Sequence, residues 1–258
     1  YDDIKKFISR EKYPIVIKPS ADRGSRNVYL IKNNEELKKV KKKIKDKIFK
    51  KNFLIQKYLN GTQYSVECLV LSKSKYIKII SSRNYKSFQF LHPNIIENGG
   101  TINPDLEHGL EKKIDNVIKM ILQRFDISSG PLKLDLIFNK GKIYILEIAI
   151  RFGGGYVASR ISKLITGYNF LEKFIVSMKK KIKLKNKRTS KTKCVITRTV
   201  IAKEKGVIKK IKVDIPAKLK KYLLFLSFNK RIGDNIAPPE SHTDRICFFA
   251  SVFSERLN

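Results

Sequence analysis

The sequence has little cysteine, little arginine and no long uncharged apolar run, and each shortage argues against a class of protein. Cys68, Cys194 and Cys247 lie far apart, and no CxxC pair occurs. This spacing argues against a disulfide framework or a structural zinc site and favours a reducing, cytoplasmic setting. No apolar run is long enough to span a bilayer and no signal peptide is recognisable, so we expect no membrane partner.

Acidic residues are scarce beside basic ones, 23 against 56, which gives a formal net charge of +33. Such a charge at first suggests nucleic acid or an anionic membrane. Only 12 of the basic residues are Arg, however, and 44 are Lys. Proteins that read nucleic acid usually exploit the planar Arg fork, so we interpret most of the charge as compositional bias on a solvated surface. A Lys-rich binder of nucleic acid or of an anionic surface stays open as an alternative.

A chain of 258 residues can bury a sizeable core and form one large domain or two to three subdomains. The sequence starts at Tyr1, within a segment whose pattern is typical of the end of a helix. We expect the chain to be a fragment of a longer protein. Hydrophobic periodicity predicts helices at 2–10, 33–48, 106–125 and 158–179, and strands at 13–19, 27–31, 53–59, 63–71, 76–82, 194–202, 206–213, 222–227 and 246–252. The Lys-rich segment 180–193 reads as a linker.

The alternation of apolar and polar residues in the segment 132–155 predicts a β-hairpin that carries two acidic residues, Asp135 and Glu147. Its apolar runs flank Asn139-Lys140-Gly141, which we interpret as a three-residue loop with Gly in the left-handed position. A loop of odd length places Asp135 and Glu147 on the same side of the sheet. The opposite, apolar side then carries Leu132, Leu134, Leu136, Phe138, Tyr144, Leu146, Ile148 and Ile150.

Two carboxylates on one rigid surface, followed by Arg151 and by Gly153 to Gly155, suit a hard divalent cation with phosphate oxygens nearby. Carboxylate oxygens ligate Mg²⁺, arginine pairs with anions in a fork, and glycine admits a ligand to the backbone. The alternative is that both acids are solvated residues of an ordinary hairpin.

Lys18 closes a short apolar strand and is followed by the small polar segment 21–26 before the next strand. Such a loop can cover phosphates through its N–H groups, with the lysine as a point charge. The alternative is a plain hairpin with an exposed lysine. His92 and Glu97, in the irregular segment 88–101, either touch a substrate or are merely solvated.

Three motifs occur here in the order typical of the ATP-grasp superfamily, and together they resemble it. They are the strand ending in Lys18-Pro19 with its Gly/Ser loop, the segment 56–59, similar to the hinge motif E-x-Y-hydrophobic-x-G, and the hairpin ending in E-I-x-x-R-x-G-G. The resemblance spans 13–171, and the segments 206–211 and 232–251 are similar to the C-terminal part of the carboxylate–amine ligase branch. The N-terminal αβ domain that usually precedes the grasp is not contained in this sequence.

The resemblance implies an α+β fold in which two lobes clamp ATP. Residues 1–59 would form the small lid lobe, 60–179 the large lobe with the metal and phosphate site, and 180–258 a linker with a small β-rich C-terminal unit.

The resemblance also assigns roles to individual residues. Lys18 resembles the phosphate-contacting lysine, Gly24 and Ser25 lie in the loop that closes over the phosphates, and Gln56, Lys57, Tyr58 and Leu59 resemble the hinge whose backbone binds adenine. Gln63 stands where the family commonly has a ribose-binding Glu or His, with Glu67 as the nearest carboxylate. Asp135 and Glu147 resemble the Mg²⁺ ligands, with Mn²⁺ as the alternative ion, and Arg151 resembles the arginine that steadies the acyl phosphate. Ala149 departs from the Asn that many members place there as a metal ligand, so a second ion would need water or a bidentate Glu147.

The activity that the resemblance implies is an ATP-dependent ligase that activates a carboxylate as an acyl phosphate for attack by an amine. Its partners would be a small-molecule carboxylate and amine, without nucleic acid, and a homo-oligomer is left open. A grasp module that binds nucleotide but is catalytically silent is the alternative, because Ala149 and the missing N-terminal domain both depart from the family pattern.

Overall fold

The computed structural model of the chain describes residues 2–48, 52–179 and 194–253, so the predicted linker at 180–193 lies outside the described residues. The helices are α1 (Asp2–Glu11), α2 (Asn34–Ile48), α3 (Leu110–Arg124), α4 (Ser162–Thr166), α5 (Phe170–Lys179) and α6 (Ala217–Lys220). The strands are β1 (Ile15–Pro19), β2 (Tyr29–Ile31), β3 (Phe53–Lys57), β4 (Thr62–Ser72), β5 (Lys75–Arg83), β6 (Gly100–Ile102), β7 (Gly130–Asn139), β8 (Lys142–Ala149), β9 (Cys194–Val200), β10 (Gly206–Val207), β11 (Leu223–Phe228), β12 (Asn235–Ile236) and β13 (Cys247–Phe253).

A small antiparallel sheet has β1 at its centre, between β2 and β3. Side chains alternate along a strand, so Ile15 and Ile17 point into the core formed with Leu37 and Val40 of α2. Lys18 lies on the opposite face of β1 and is partly exposed. The small sheet therefore presents this lysine on the side away from its own helices.

A second sheet of eight strands has the order β11-β13-β9-β6-β5-β4-β7-β8, and its neighbouring strands are antiparallel. Helix α3 packs Ile114 and Ile118 against one face of this sheet, on Val66 and Leu134. The residues of this core on β4 and β7 alternate with polar ones, because successive side chains point to opposite faces. The polar face of β4 and β7 is thus left for a functional site.

Helices and strands combine as the α+β class predicts, and this prediction is confirmed. The strands β9, β11 and β13 of the predicted C-terminal unit extend the large sheet through the pairing of β9 with β6. The division into segments 1–59, 60–179 and 180–258 stays a prediction.

Two predicted elements are wrong in extent. The helix expected at 158–179 is divided into a π-helical turn, Val157–Ile161, and the helices α4 and α5, because Gly167 takes a left-handed backbone (φ 78°) and ends α4. The strand expected at 206–213 extends no further than Val207, where β10 pairs with the two-residue β12.

The β7–β8 hairpin differs from its prediction in the turn. Asn139 pairs with Lys142, so the loop has two residues, and Lys140 and Gly141 both have positive φ, 47° and 76°. Two such residues are typical of a tight hairpin turn. The register is restored by a bulge, since Asp135 pairs with Glu147 while Leu136 pairs with Ile145. Tyr144 was also misplaced, because it pairs with Ile137 on the side of the acids.

Candidate active site

The candidate active site lies on the polar face of β5, β4, β7 and β8. Asp135 is the direct cross-strand partner of both Ser65 and Glu147, and Lys133 is the partner of Glu67. Directly opposite residues project from the same face of a sheet. The structure thus brings the two predicted metal-binding carboxylates together, and it does so through the bulge at Leu146 rather than through a longer loop.

Asp135 is surrounded by cations. Its Oδ2 atom accepts a hydrogen bond from Lys133 Nζ. Burial by itself would raise the pKa of Asp135, but Lys133 and Arg83 hold this pKa below its ordinary value. Glu147 is half-exposed, with Oε1 3.6 Å from Nη2 of Arg151. Asp135 is therefore an ionised oxygen donor, and Glu147 lies beside it at the edge of the sheet.

Lys18 reaches this hairpin from the small sheet. Its Nζ atom donates a hydrogen bond to the carbonyl oxygen of Leu146 at 3.3 Å. Leu146 is the bulged residue next to Glu147. The predicted phosphate-contacting lysine thus contacts the backbone of the residue next to a predicted metal-binding carboxylate.

Glu67 supports the glycine-rich segment that follows β8. The N–H of Gly153 donates to Glu67 Oε2 at 3.0 Å, and a Cβ on Gly153 would lie only 2.5 Å from Glu67 Oε1. Burial raises the pKa of Glu67, while the Gly153 N–H and the nearby Arg83 and Lys133 oppose this shift. The ribose-binding role of Gln63 and Glu67 stays a prediction, and the hydrogen bond gives Glu67 a structural role in the site.

The predicted phosphate loop and adenine hinge flank this region. Gly24 and Ser25 both have a left-handed backbone, with φ of 66° and 57°. The Gly24 carbonyl accepts a hydrogen bond of 2.8 Å from the His242 N–H. In the hinge segment 56–59, Gln56 and Lys57 pair with β1, and the Tyr58 N–H donates to the Pro14 carbonyl at 3.2 Å. Their roles toward a nucleotide stay predictions.

A buried ionic group that was not predicted from the sequence lies at the other end of the polar face. Glu97 Oε1 lies 3.2 Å from Nη1 of Arg83 and 3.5 Å from Nη2 of Arg245. Glu97 is therefore not merely solvated, whereas His92 pairs instead with Glu36 at 2.9 Å. The signal available in the sequence was the placement of scarce arginines, one at the end of β5 and one just before β13, in a chain whose cations are mostly lysine.

The donor set fits a hard divalent cation at Asp135 and Glu147. Both groups offer carboxylate oxygens on one face, which is the ligand type that Mg²⁺ prefers. Among residues 2–48, 52–179 and 194–253, no three His, Cys, Asp or Glu side chains group as a metal site. In the same ranges, no helix has both the length and the apolar character needed to cross a bilayer.

The chain is similar to known proteins both in sequence and in fold. The family model described as the ATP-grasp domain matches residues 11–159, which is more than half of the chain. By sequence, the chain is 29% identical over 155 residues to a D-alanine–D-alanine ligase of Buchnera aphidicola subsp. Schizaphis graminum, a match that covers 57% of this chain and 47% of that protein.

Two solved structures share the fold. An L-amino acid ligase from Bacillus licheniformis superposes with a TM-score of 0.79 at 18% identity, over 96% of this chain and 62% of the other. The biotin carboxylase domain of the 2-oxoglutarate carboxylase from Hydrogenobacter thermophilus, in complex with MgADP, ADP and bicarbonate, gives 0.67 at 14% identity, over 98% and 56%. The chain thus spans about half to three fifths of the length of these proteins.

Proposed function

This chain belongs to the ATP-grasp family, and from that premise we propose that it is an ATP-dependent ligase that activates a carboxylate as an acyl phosphate for attack by an amine. The observation that carries the proposal is the approach of Lys18 to the Leu146 carbonyl, beside the paired acids Asp135 and Glu147. The Lys18 ammonium is thereby held at the backbone of the strand that carries Glu147, the cross-strand partner of Asp135. The names of the relatives, a D-alanine–D-alanine ligase and an L-amino acid ligase, are consistent with carboxylate and amine substrates.

In the proposed reaction, a substrate carboxylate oxygen attacks the γ-phosphorus of ATP, the bond to the bridging oxygen breaks, and ADP leaves. In this proposal the Lys18 ammonium, next to Leu146, and the Arg151 guanidinium, next to Glu147, would neutralise charge on the transferring group. Asp135 and Glu147 would hold Mg²⁺, or Mn²⁺ in its place, which when bound supplies charge neutralisation on the phosphate oxygens. The MgADP complex of the carboxylase neighbour supports this choice of cofactor.

The acyl phosphate is then attacked by the free electron pair of the amine. The tetrahedral intermediate loses phosphate, and the nitrogen loses a proton, to give the amide. The Gly24 loop, which joins β1 to β2, would shield the acyl phosphate from water by closing over it. In this scheme no side chain serves as a covalent nucleophile.

The first test is thermal stabilisation by Mg·ATP in wild type and in Glu147→Ala. We expect the variant to lose most of the stabilisation, because it removes one of two carboxylates that face the cation. Glu172→Ala is the matched control, since Glu172 is an exposed acid on α5. An equal shift in wild type and Glu147→Ala would exclude the metal assignment.

A catalytically silent nucleotide-binding module is the second candidate function, and Ala149 favours it. Ala149 is the cross-strand partner of Lys133 on the polar face, where it offers no oxygen to a second cation. A silent module would be stabilised by Mg·ATP without releasing phosphate in the presence of carboxylates and amines. Phosphate release with such a panel supports the ligase. A Lys-rich nucleic-acid binder would instead be retained on heparin with a steep salt dependence and gain nothing from Mg·ATP.

We further propose a cytoplasmic location and the division into a lid lobe, a large lobe and a C-terminal unit. The location is supported by three free, buried cysteines, Cys68, Cys194 and Cys247, which behave as small apolar side chains in a reducing compartment. The oligomeric state is open to measurement by light scattering.

A further inference from the structure

Arg83 ends β5 on the polar face of the large sheet, and most of its hydrogen-bonding capacity is unused. Its side chain is 23% exposed. Within the described ranges, its one hydrogen bond runs from Nη1 to Glu97 Oε1 at 3.2 Å. A guanidinium carries five N–H donors in a fork that matches a carboxylate. Arg83 is thus partly open and retains donors for an anion.

A second guanidinium, that of Arg245, also contacts Glu97. Arg245 is 8% exposed, and its Nη2 atom donates to the Glu97 carbonyl at 2.6 Å and lies 3.5 Å from Glu97 Oε1. The Arg245 Nε atom is buried and has no hydrogen-bond partner in the described part of the chain. Two guanidiniums therefore share one carboxylate, one of them partly exposed and the other buried. A buried donor left without a partner costs free energy, and an anion bound at this group would offset part of that cost.

This cationic group adjoins the candidate active site. Electrostatic interaction with Glu97 and, more weakly, with Asp135 and Glu67 raises the pKa of Arg83 against the effect of burial. The group also contacts the predicted phosphate loop through His242. The imidazole Nε2 of His242 accepts a hydrogen bond from the backbone N–H of Glu97 at 3.4 Å, and the backbone N–H of His242 donates to the Gly24 carbonyl. Arg83 therefore belongs to a group that is connected to the loop through Glu97 and His242 and interacts electrostatically with the acids.

The reacting carboxylate must lie elsewhere. In the proposed reaction it meets the γ-phosphate near Lys18 and Glu147, at the β8 edge of the sheet. Strand β5 is separated from β8 by β4 and β7, and each strand spacing is about 4.8 Å. A carboxylate bound at Arg83 would thus lie nearer the centre of the sheet than the bond that forms between the reacting carboxylate and the γ-phosphorus.

We propose that Arg83, held by Glu97 and backed by Arg245, is a subsite for a carboxylate that the substrate retains through the reaction. The substrate that binds here is then a small molecule whose carboxylate does not react. An amino acid that reacts through its amine is such a molecule. This inference rests on the proposed ligase function and assigns a specificity-determining role to Arg83 within it.

The test compares an amino acid with its neutral amide. Alanine of either hand and alaninamide are titrated by calorimetry into the protein complexed with Mg²⁺ and a non-hydrolysable ATP analogue. Wild type is expected to bind alanine about 10- to 100-fold more tightly than alaninamide, the range of a charge-assisted hydrogen bond. Arg83→Gln is expected to remove this preference by weakening alanine alone, and Arg83→Lys to restore part of it.

Arg124→Gln is the matched control, since Arg124 is an exposed arginine at the end of α3, which packs on the opposite face of the sheet. It should retain the wild-type preference. Equal binding of alanine and alaninamide by wild type, an unchanged preference in Arg83→Gln, or no binding of alanine would each overturn the subsite. The Mg·ATP shift of wild type and its loss in Glu147→Ala report on the ligase proposal separately, because neither depends on Arg83.

Discussion

The Nζ atom of Lys18 donates a hydrogen bond to the carbonyl oxygen of Leu146 at 3.3 Å, and this contact joins the small sheet to the edge of the large one. The two residues are far apart in the chain, so the contact depends on the tertiary fold. The acceptor is the residue that the β8 bulge adds to the strand. The bulge therefore sets the faces of the hairpin and also supplies the acceptor for Lys18.

Lys18→Met should weaken the binding of Mg·ATP by about 10- to 100-fold, the range expected for losing a charge-assisted contact to phosphate. The methionine keeps most of the side-chain volume, so the temperature of unfolding without nucleotide should change little. Nucleotide affinity is measured by calorimetry. Lys38→Met, at an exposed position of α2, is the control and should bind as wild type does. Equal weakening in both variants would assign the effect to net charge and not to Lys18.

Much of the fold was predictable because periodicity and turn chemistry act locally. The alternation of Leu132, Leu134 and Leu136 predicted a strand with one buried face, and all three are buried in β7. The same reasoning placed Asp135 and Glu147 on one side. The prediction explained this shared side by a three-residue loop, whereas the structure has a two-residue turn and a bulge in β8. The alternation of apolar and polar residues is the same for a three-residue loop and for a two-residue turn with a bulge. The sequence pattern alone could therefore not distinguish the two.

The cluster around Glu97 was not predictable, because its members come from separate parts of the chain. Arg83 ends a strand, Glu97 lies in irregular structure, and Arg245 follows a 3₁₀ turn near the C-terminal strand. No periodic pattern links such positions. The extension of the large sheet by β9 was missed for a similar reason, since its pairing with β6 is a contact between distant segments.

Gly153→Ala should destabilise the protein by about 1–3 kcal/mol, because the added Cβ would lie 2.5 Å from Glu67 Oε1 and force a shift in a packed region. Gly154→Ala is the matched control: a Cβ there meets no atom within 4 Å among the described residues. Its effect on stability should be within about 0.5 kcal/mol. Urea denaturation measures both values. If the two variants unfold at the same denaturant concentration, the contact between Gly153 and Glu67 does not constrain the site.

His242 couples the predicted phosphate loop to the Glu97 group, and burial lowers its pKa to about 4. Glu97 opposes this shift, whereas Arg245 and Arg83 add to it. A histidine with a lowered pKa in the folded state is charged more readily once unfolded. Its contribution to stability is therefore complete above its ordinary pKa of 6.5 and is lost as the pH falls from there toward 4.

His242→Gln should remove this part of the acid sensitivity, because glutamine keeps a hydrogen-bond acceptor but does not titrate. Wild type should lose up to roughly 3 kcal/mol of stability between pH 6.5 and 4 through this group, and the variant should lose correspondingly less. The free energy of unfolding is measured by urea denaturation at half-unit pH steps. His108→Gln serves as the control, since His108 is an exposed histidine ahead of α3, and it should follow the wild-type curve. Parallel curves for wild type and His242→Gln would show that His242 is charged as readily in the fold as in the unfolded chain.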